Sequence, residues 1–211
     1  MENETQQVVS RDVAILNRRL PFLVSTEMAK EQGPFVAVMF LGSMFQNEYD
    51  ILGKSFVTSS SVNNVIGCLE PFLTSMRCTG ERIPAVFLSF VAKCVTLAIT
   101  ENSKRIWLGL HKKDDIGDDA AVFLENYQKT IDAMGFKDMP RLHAPFLGKP
   151  LAAVVEEGLR LKAPLHLARS CHRLDKSDLS CGVCHDCNAH REAFAACGAP
   201  DPVPYTKVVY S

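Results

Sequence analysis

The stretch Cys171 to Cys187, CHRLDKSDLSCGVCHDC, constrains this chain more than any other. It holds four of the eight cysteines, spaced C-x9-C-x2-C-x2-C. A C-x2-C step bends the backbone until two sulfurs face one point, and Gly182 inside the first step permits a tight turn. Two such steps overlap, so Cys181, Cys184 and Cys187 converge from a single knuckle. Cys171 closes the set from the far end of a nine-residue loop. Four thiolates about 2.3 Å from one ion form a closed structural zinc site with no position left for water. Such an ion holds structure and does no chemistry. Its binding, about 10–16 kcal/mol, becomes folding free energy of the C-terminal segment. Two rivals stand beside zinc. A [4Fe–4S] cluster also takes C-x2-C-x2-C, but its usual fourth ligand follows three residues later, before a proline. Positions 191 and 192 are Arg and Glu. Disulfides suit a secreted chain. His172, His185 and His190 lie close by, yet four cysteines already fill the site, so they read as surface histidines or as outer supports.

Length and composition place the knuckle on an ordinary globular body. With 211 residues, 47% hydrophobic and 22% charged, one domain with a small appended module is expected. The boundary falls between an α/β nucleotide-hydrolase-like body, 1–165, and a zinc-binding segment, 166–211. A net charge of −1 offers no basic stripe to phosphates, which argues against direct nucleic-acid binding. No apolar run approaches the roughly 20 residues that span a bilayer. The opening MENETQQVVSRD is polar and does not read as a signal peptide. A reducing cytoplasm is expected, with Cys68, Cys78 and Cys94 as buried free thiols.

Along the chain, residues 12–32 read as helix in two pieces, broken at Pro21 and stopped by Gly33. Phe35 to Leu41 is a short continuous apolar run, the pattern of a strand buried on both faces. Residues 47–54 suggest a helical turn, 55–82 carry little pattern, and Thr58 to Asn64 reads as loop. Pro84 opens a helix apolar nearly all round, which predicts burial on every side. Arg105 to Leu110 is the next strand and 119–134 an amphipathic helix closed by Gly135. Arg141 to Ala144 is a short strand, and 150–161 a helix opening at Pro150. Strands separated by helices predict a Rossmann-like parallel sheet of about four or five strands, with helices on both faces. Ligands of such sheets sit beyond the carboxyl ends of the strands, here after Leu41, Leu110 and Ala144.

Ser170-Cys171, Cys181-Gly182-x-Cys184-x-x-Cys187 and Arg191-x-x-Phe194-x-x-x-Gly198-x-x-Asp201-Pro202-x-x-Tyr205 together resemble the C-terminal zinc signature of the 7-cyano-7-deazaguanine synthase (QueC) family. Upstream, Ile83-Pro84-Ala85 with Phe87-Leu88-Ser89 resembles the lead into that family's long helix. Gly109, Asp114, Gly117, Asp119 and Phe123 resemble its substrate loop, and Pro145 and Gly158 fall in register. The resemblance covers roughly residues 83–205, with an echo at Glu31-Gln32-Gly33. It implies the ATP-pyrophosphatase type of adenine-nucleotide hydrolase fold and homodimers. It also implies ATP with magnesium, and adenylation of 7-carboxy-7-deazaguanine followed by amide and then nitrile formation. In that family a Ser-Gly-Gly-x-Asp-Ser loop cradles the ATP phosphates through backbone N–H groups.

No Ser-Gly-Gly-x-Asp-Ser occurs in this chain. Val8-Val9-Ser10 could end a first strand, but Arg11-Asp12 follow; Val24-Ser25-Thr26-Glu27 stands at the right distance before Glu31-Gln32-Gly33. Neither has glycine. The Arg-Asn that follows Pro-Ala in the family is missing, as are the tyrosine–proline and arginine of its substrate loop. Its lysine aligns with Leu151, leaving only Lys149 nearby. Candidate ligand contacts are therefore His111 at a strand's carboxyl end, Asp114 and Asp119 in the acidic loop, with Asp115 and Asp118 beside them, and Lys149 before a helix. A Gly42-Ser43 anion turn is a further candidate, and Ser170 a donor to the thiolates. Three functions follow as expectations: a QueC-like synthase; a catalytically inactive QueC-like scaffold binding a deazapurine or a protein partner; and a relative joining an activated deazaguanine to another amine.

Overall fold

The computed structural model describes residues 10–41, 52, 62–69, 83–112, 120–135, 137–171 and 179–206. Its strands are β1 (Asp12–Ile15), β2 (Phe35–Leu41), β3 (Val62–Leu69), β4 (Arg105–Trp107) and β5 (Arg141–His143). They form one wholly parallel sheet in the order β3-β2-β1-β4-β5. The helices are α1 (Leu20–Gln32), α2 (Ile83–Thr100), α3 (Ala120–Asp132), α4 (Leu151–Arg160) and α5 (His185–Ala196).

Both faces of the sheet are covered, as parallel strands require. Val13, Ile15, Val38 and Ile106 pack with Phe87, Val91, Cys94 and Val95 of α2 and with Leu124 and Ile131 of α3. Ala14, Ala37, Met39 and Trp107 alternate with them on the other face, against Leu23 and Val24 of α1, Val154 and Val155 of α4 and Phe194 of α5. The strand order reverses between β1 and β4, with α1 on one face and α2 and α3 on the other. That is the doubly wound arrangement, whose ligand crevice lies beyond the strand ends at the reversal.

Four local readings change. Residues 12–15 are a strand, not helix: all four are buried, and sheet pairing on both sides outweighs their helical spacing. Pro21 opens α1 instead of breaking a helix, because the first turn has no use for its missing N–H. Val62 to Asn64 belong to β3, where seven pairings to β2, with one register shift that passes over Asn63, override a polar composition. Finally, α2 is buried on one side only, since Leu88 and Ile99 are 45% and 40% exposed. Leu52 aside, the loop and helical-turn readings at 42–51 and 53–61 and the stretch 70–82 lie outside the described residues. Among the described residues, no helix is long and apolar enough to cross a membrane.

Candidate functional site

The C-terminal knuckle is assembled from a turn, a bridge and a helix start. Gly182, with φ +73°, reverses the chain between Cys181 and Cys184, a backbone state few side chains tolerate. Cys184 precedes α5, whose first turn carries Cys187, and Asn188 N–H donates to the Cys184 carbonyl. Ser180 pairs with Tyr205, so the tail is laid beside the turn. The sulfurs of Cys171, Cys181, Cys184 and Cys187 all lie within 4.8 Å of one another, and Cys181 and Cys187 are 3.9 Å apart. Tetrahedral ligands about 2.3 Å from an ion stand about 3.8 Å from each other, so this cluster can hold a single metal ion and its spacing agrees with zinc. An iron–sulfur cube carries its thiolates on outer corners and would need them farther apart.

Electrostatics around the sulfurs are uneven. The Cys181 thiol is drawn down to about 6, first by the Val183 backbone N–H and then, against burial, by that of Cys184. Burial, then the hydrogen bond with Cys184, pushes Cys187 far above the thiol range. A cation that converts all four to thiolates must therefore displace protons. Around them sits a second layer. Cys181 N–H donates to Cys171 Sγ at 3.3 Å. Arg191 donates to the Gly182 carbonyl at 2.7 Å and lies over the Tyr205 ring. Tyr205 donates its hydroxyl to Asp201, which also meets His190 Nδ1 at 3.1 Å and accepts from Val203 N–H. His190 is thus a buried support, while His185 is exposed; His172 is outside the described residues. The role of Asp201 was signalled in the sequence only by its place in the Asp-Pro-x-x-Tyr tail.

At the carboxyl ends of the strands, His111 follows β4 half-buried, and Lys149 precedes α4 exposed. The two segments adjoin through their backbones, since Lys112 N–H donates to the Lys149 carbonyl at 3.0 Å, and the Lys149 ammonium sits 5.9 Å from the Phe146 ring centre. Asp114 and Asp119, with Gly42 and Ser43, lie outside the described residues.

One further cluster crosses β1, β4 and β5. Asp12 accepts from the Trp107 indole at 2.9 Å and pairs with Arg105 at 2.8 Å, while His143 stands edge-on to Trp107 at 4.3 Å. Burial, then the charge of Arg105, lowers the His143 pKa, with Asp12 opposing. A histidine held neutral in the fold contributes stability above its unfolded pKa of about 6.5 that is lost as pH falls through the folded value. Because Trp107 is the chain's one tryptophan, its emission reports this proton directly. Acidification should quench it with a midpoint below about 6.5, and His143→Gln should abolish the step.

The family model described as "Queuosine biosynthesis protein QueC" matches residues 50–198, more than half of the chain. The chain belongs to the QueC family. The matched QueC region runs from ahead of β3 through α5 and includes all four clustered cysteines. The relatives the chain matches include several that carry the name 7-cyano-7-deazaguanine synthase. That of Methanoculleus marisnigri is 32% identical over 136 residues, 60% of this chain and 60% of its own length. That of Chlorobaculum tepidum is 24% identical over 221 aligned positions, 92% of this chain and 96% of the relative. That of Chlorobium phaeovibrioides is 29% identical over 169, 78% of this chain and 73% of the relative.

In a doubly wound sheet the first strand-to-helix turn is where a phosphate loop sits when one is present. β1 ends at Ile15 and α1 starts at Leu20, so the turn is Leu16-Asn17-Arg18-Arg19, running on into Leu20-Pro21-Phe22 of the first turn of α1. The placement at Val24 to Glu27 is corrected, because those residues lie inside α1, while Val8 and Val9 lie outside the described residues. The residues present do not fit the phosphates of ATP. Leu16 and Leu20 are fully buried and Phe22 is nearly so, and no residue of the segment is glycine.

Proposed function

We propose that this QueC-family chain works in 7-deazaguanine metabolism as a zinc-stabilised binder of a 7-deazaguanine-type ligand. Zinc is assigned to Cys171, Cys181, Cys184 and Cys187. The ligand is assigned to the space beyond the carboxyl ends of β4 and β5, where the segment after β4 is bonded to the Lys149 carbonyl, with His111, Asp114, Asp119 and Lys149 as the candidate set. The observation that carries the reading is the set of four thiols converging within 4.8 Å at the QueC signature positions. The relatives' name supports the ligand class. Titration calorimetry with 7-carboxy-7-deazaguanine and 7-cyano-7-deazaguanine tests it. Saturable binding is expected, weakened about tenfold by Lys149→Ala if one charge-assisted contact is lost. No binding of either compound would sink the reading.

A full synthase is the second reading, favoured by the shared name and by the match over residues 50–198. It demands that ATP be split to AMP and pyrophosphate when 7-carboxy-7-deazaguanine is added. The glycine-free segment after β1 favours the binder, and no AMP is the expected result. Ligand-dependent AMP formation would establish the synthase instead.

A further inference from the structure

We infer that the nucleotide position of this fold is closed from within by Arg18, so that the chain binds no adenine nucleotide at the β1–β4 switch point. This deepens the binder reading, and any ATP-driven activation of a deazaguanine carboxylate then belongs to another protein. Three independent observations lead there.

The first concerns donors. A phosphate at a helix N-terminus is held by the free N–H groups of the first turn. In α1 the second of these residues is Pro21, which has no N–H, and Phe22 N–H turns back to the Arg19 carbonyl at 3.0 Å. Arg19 N–H is taken by the Asn17 side-chain oxygen at 2.8 Å. Proline and the segment's own turn thus remove the Pro21, Phe22 and Arg19 positions from the donors such a cradle would use.

The second concerns space. A Cβ on Gly109, just beyond β4, would stand 2.3 Å from Phe22 N and 2.5 Å from the Pro21 carbonyl carbon. The loop after β4 and the first turn of α1 are therefore in backbone contact across the reversal point. Leu108, Leu110, Leu16 and Leu20 are all at most 1% exposed around it. A triphosphate entering here would have to part these segments and bring charge among leucines.

The third concerns what holds the segment shut. Arg18 is only 4% exposed, an expensive place for a cation unless it is bonded. Its Nε donates to the Leu167 carbonyl at 2.8 Å, and its own carbonyl accepts from Arg169 N–H at 2.6 Å. Side chain and main chain thus both grip the turn at 167–169, two residues before Cys171. The segment that waits for nucleotide in a phosphate-loop protein is here tied to the protein's own backbone.

The experiment uses the full-length, metal-loaded chain with magnesium-ATP, AMP and pyrophosphate, each at millimolar concentration, read by thermal shift and calorimetry. No shift is expected from any of them. A variant carrying Asn17→Ser, Arg18→Gly, Arg19→Gly, Pro21→Asp and Phe22→Ser restores the family loop and should gain a positive Tm shift with magnesium-ATP. Arg18→Ala keeps the inference testable if that variant does not fold: hydrogen exchange of amides in 16–23 and 165–170 should rise about tenfold, the consequence of leaving one buried bond unmade. Saturable ATP binding by the unmodified chain that protects 16–23 from exchange would overturn the inference, as would unchanged exchange in Arg18→Ala. Deazaguanine binding, measured on the same samples, distinguishes failure of the closed site from failure of the ligand assignment.

Discussion

Chelating the metal should release one zinc per chain and collapse more than the knuckle that holds it. Binding by four thiolates contributes about 10–16 kcal/mol, as much as the whole stability of a typical domain at about 5–15 kcal/mol. Nothing local replaces it, because α5 is a 12-residue helix with no side-chain cap, too short to persist alone. The loss then spreads. Phe194 and Val203 are 1% and 7% exposed, and they pack into the same cluster as β1, β2, α1 and α4. Withdrawing a buried phenylalanine forfeits about 1.5–3 kcal/mol of transfer free energy, so the body should melt at a visibly lower temperature as well. Circular dichroism and elemental analysis before and after chelation check both parts. Cys187→Ser should behave like the chelated protein, whereas Cys197→Ser, which keeps a donor for the Ala152 carbonyl and lies outside the cluster of four thiols, should stay folded. Metal loading should also fall in acid, because protons compete for thiols that burial already favours keeping neutral. A stripped chain with unchanged ellipticity and Tm would refute the structural role.

The knuckle was legible because its information is local: ligand spacing, Gly182 and the start of α5 occupy a few consecutive residues. The strands Phe35–Leu41 and Arg105–Trp107 and the helices after Pro84, Asp119 and Pro150 could be read for the same reason, as runs of one periodicity between clear stops. What failed depends on distant partners. Asp12 to Ile15 carry helix-compatible spacing and become a strand only because Phe35–Val38 and Ile106–Trp107 flank them. Val62 to Asn64 look like loop until β2 pairs with them. The candidate nucleotide position shifted with the first of these errors. Once β1 is placed, the register of the missing phosphate loop falls on Asn17 to Phe22, and the meaning of Arg18 depends on a bond to Leu167, 149 positions away in sequence. No periodicity encodes that bond.

Gly109→Ala should be among the most damaging single-methyl changes available in this protein. The glycine has no left-handed φ to protect, so the expected cost is collision alone. All three atoms met by the new Cβ, Phe22 N at 2.3 Å, Phe22 Cα at 2.4 Å and the Pro21 carbonyl carbon at 2.5 Å, are backbone and cannot rotate aside. Relief requires α1 to move away from β4, yet Leu20, Leu23 and Val24 fix that helix in the core with no exposure. Overpacking of this kind costs about 1–3 kcal/mol and sometimes more, and the upper end is expected here, a fall of about 6–12 °C in Tm for a chain of this length. Gly198→Ala supplies the contrast, since its φ is +64° and nothing lies within 4 Å of its added Cβ. It should lose only the left-handed penalty of about 1–2 kcal/mol. If Gly109→Ala is instead the milder of the two, the loop after β4 and the start of α1 stand apart, leaving open the very gap that a nucleotide phosphate would need.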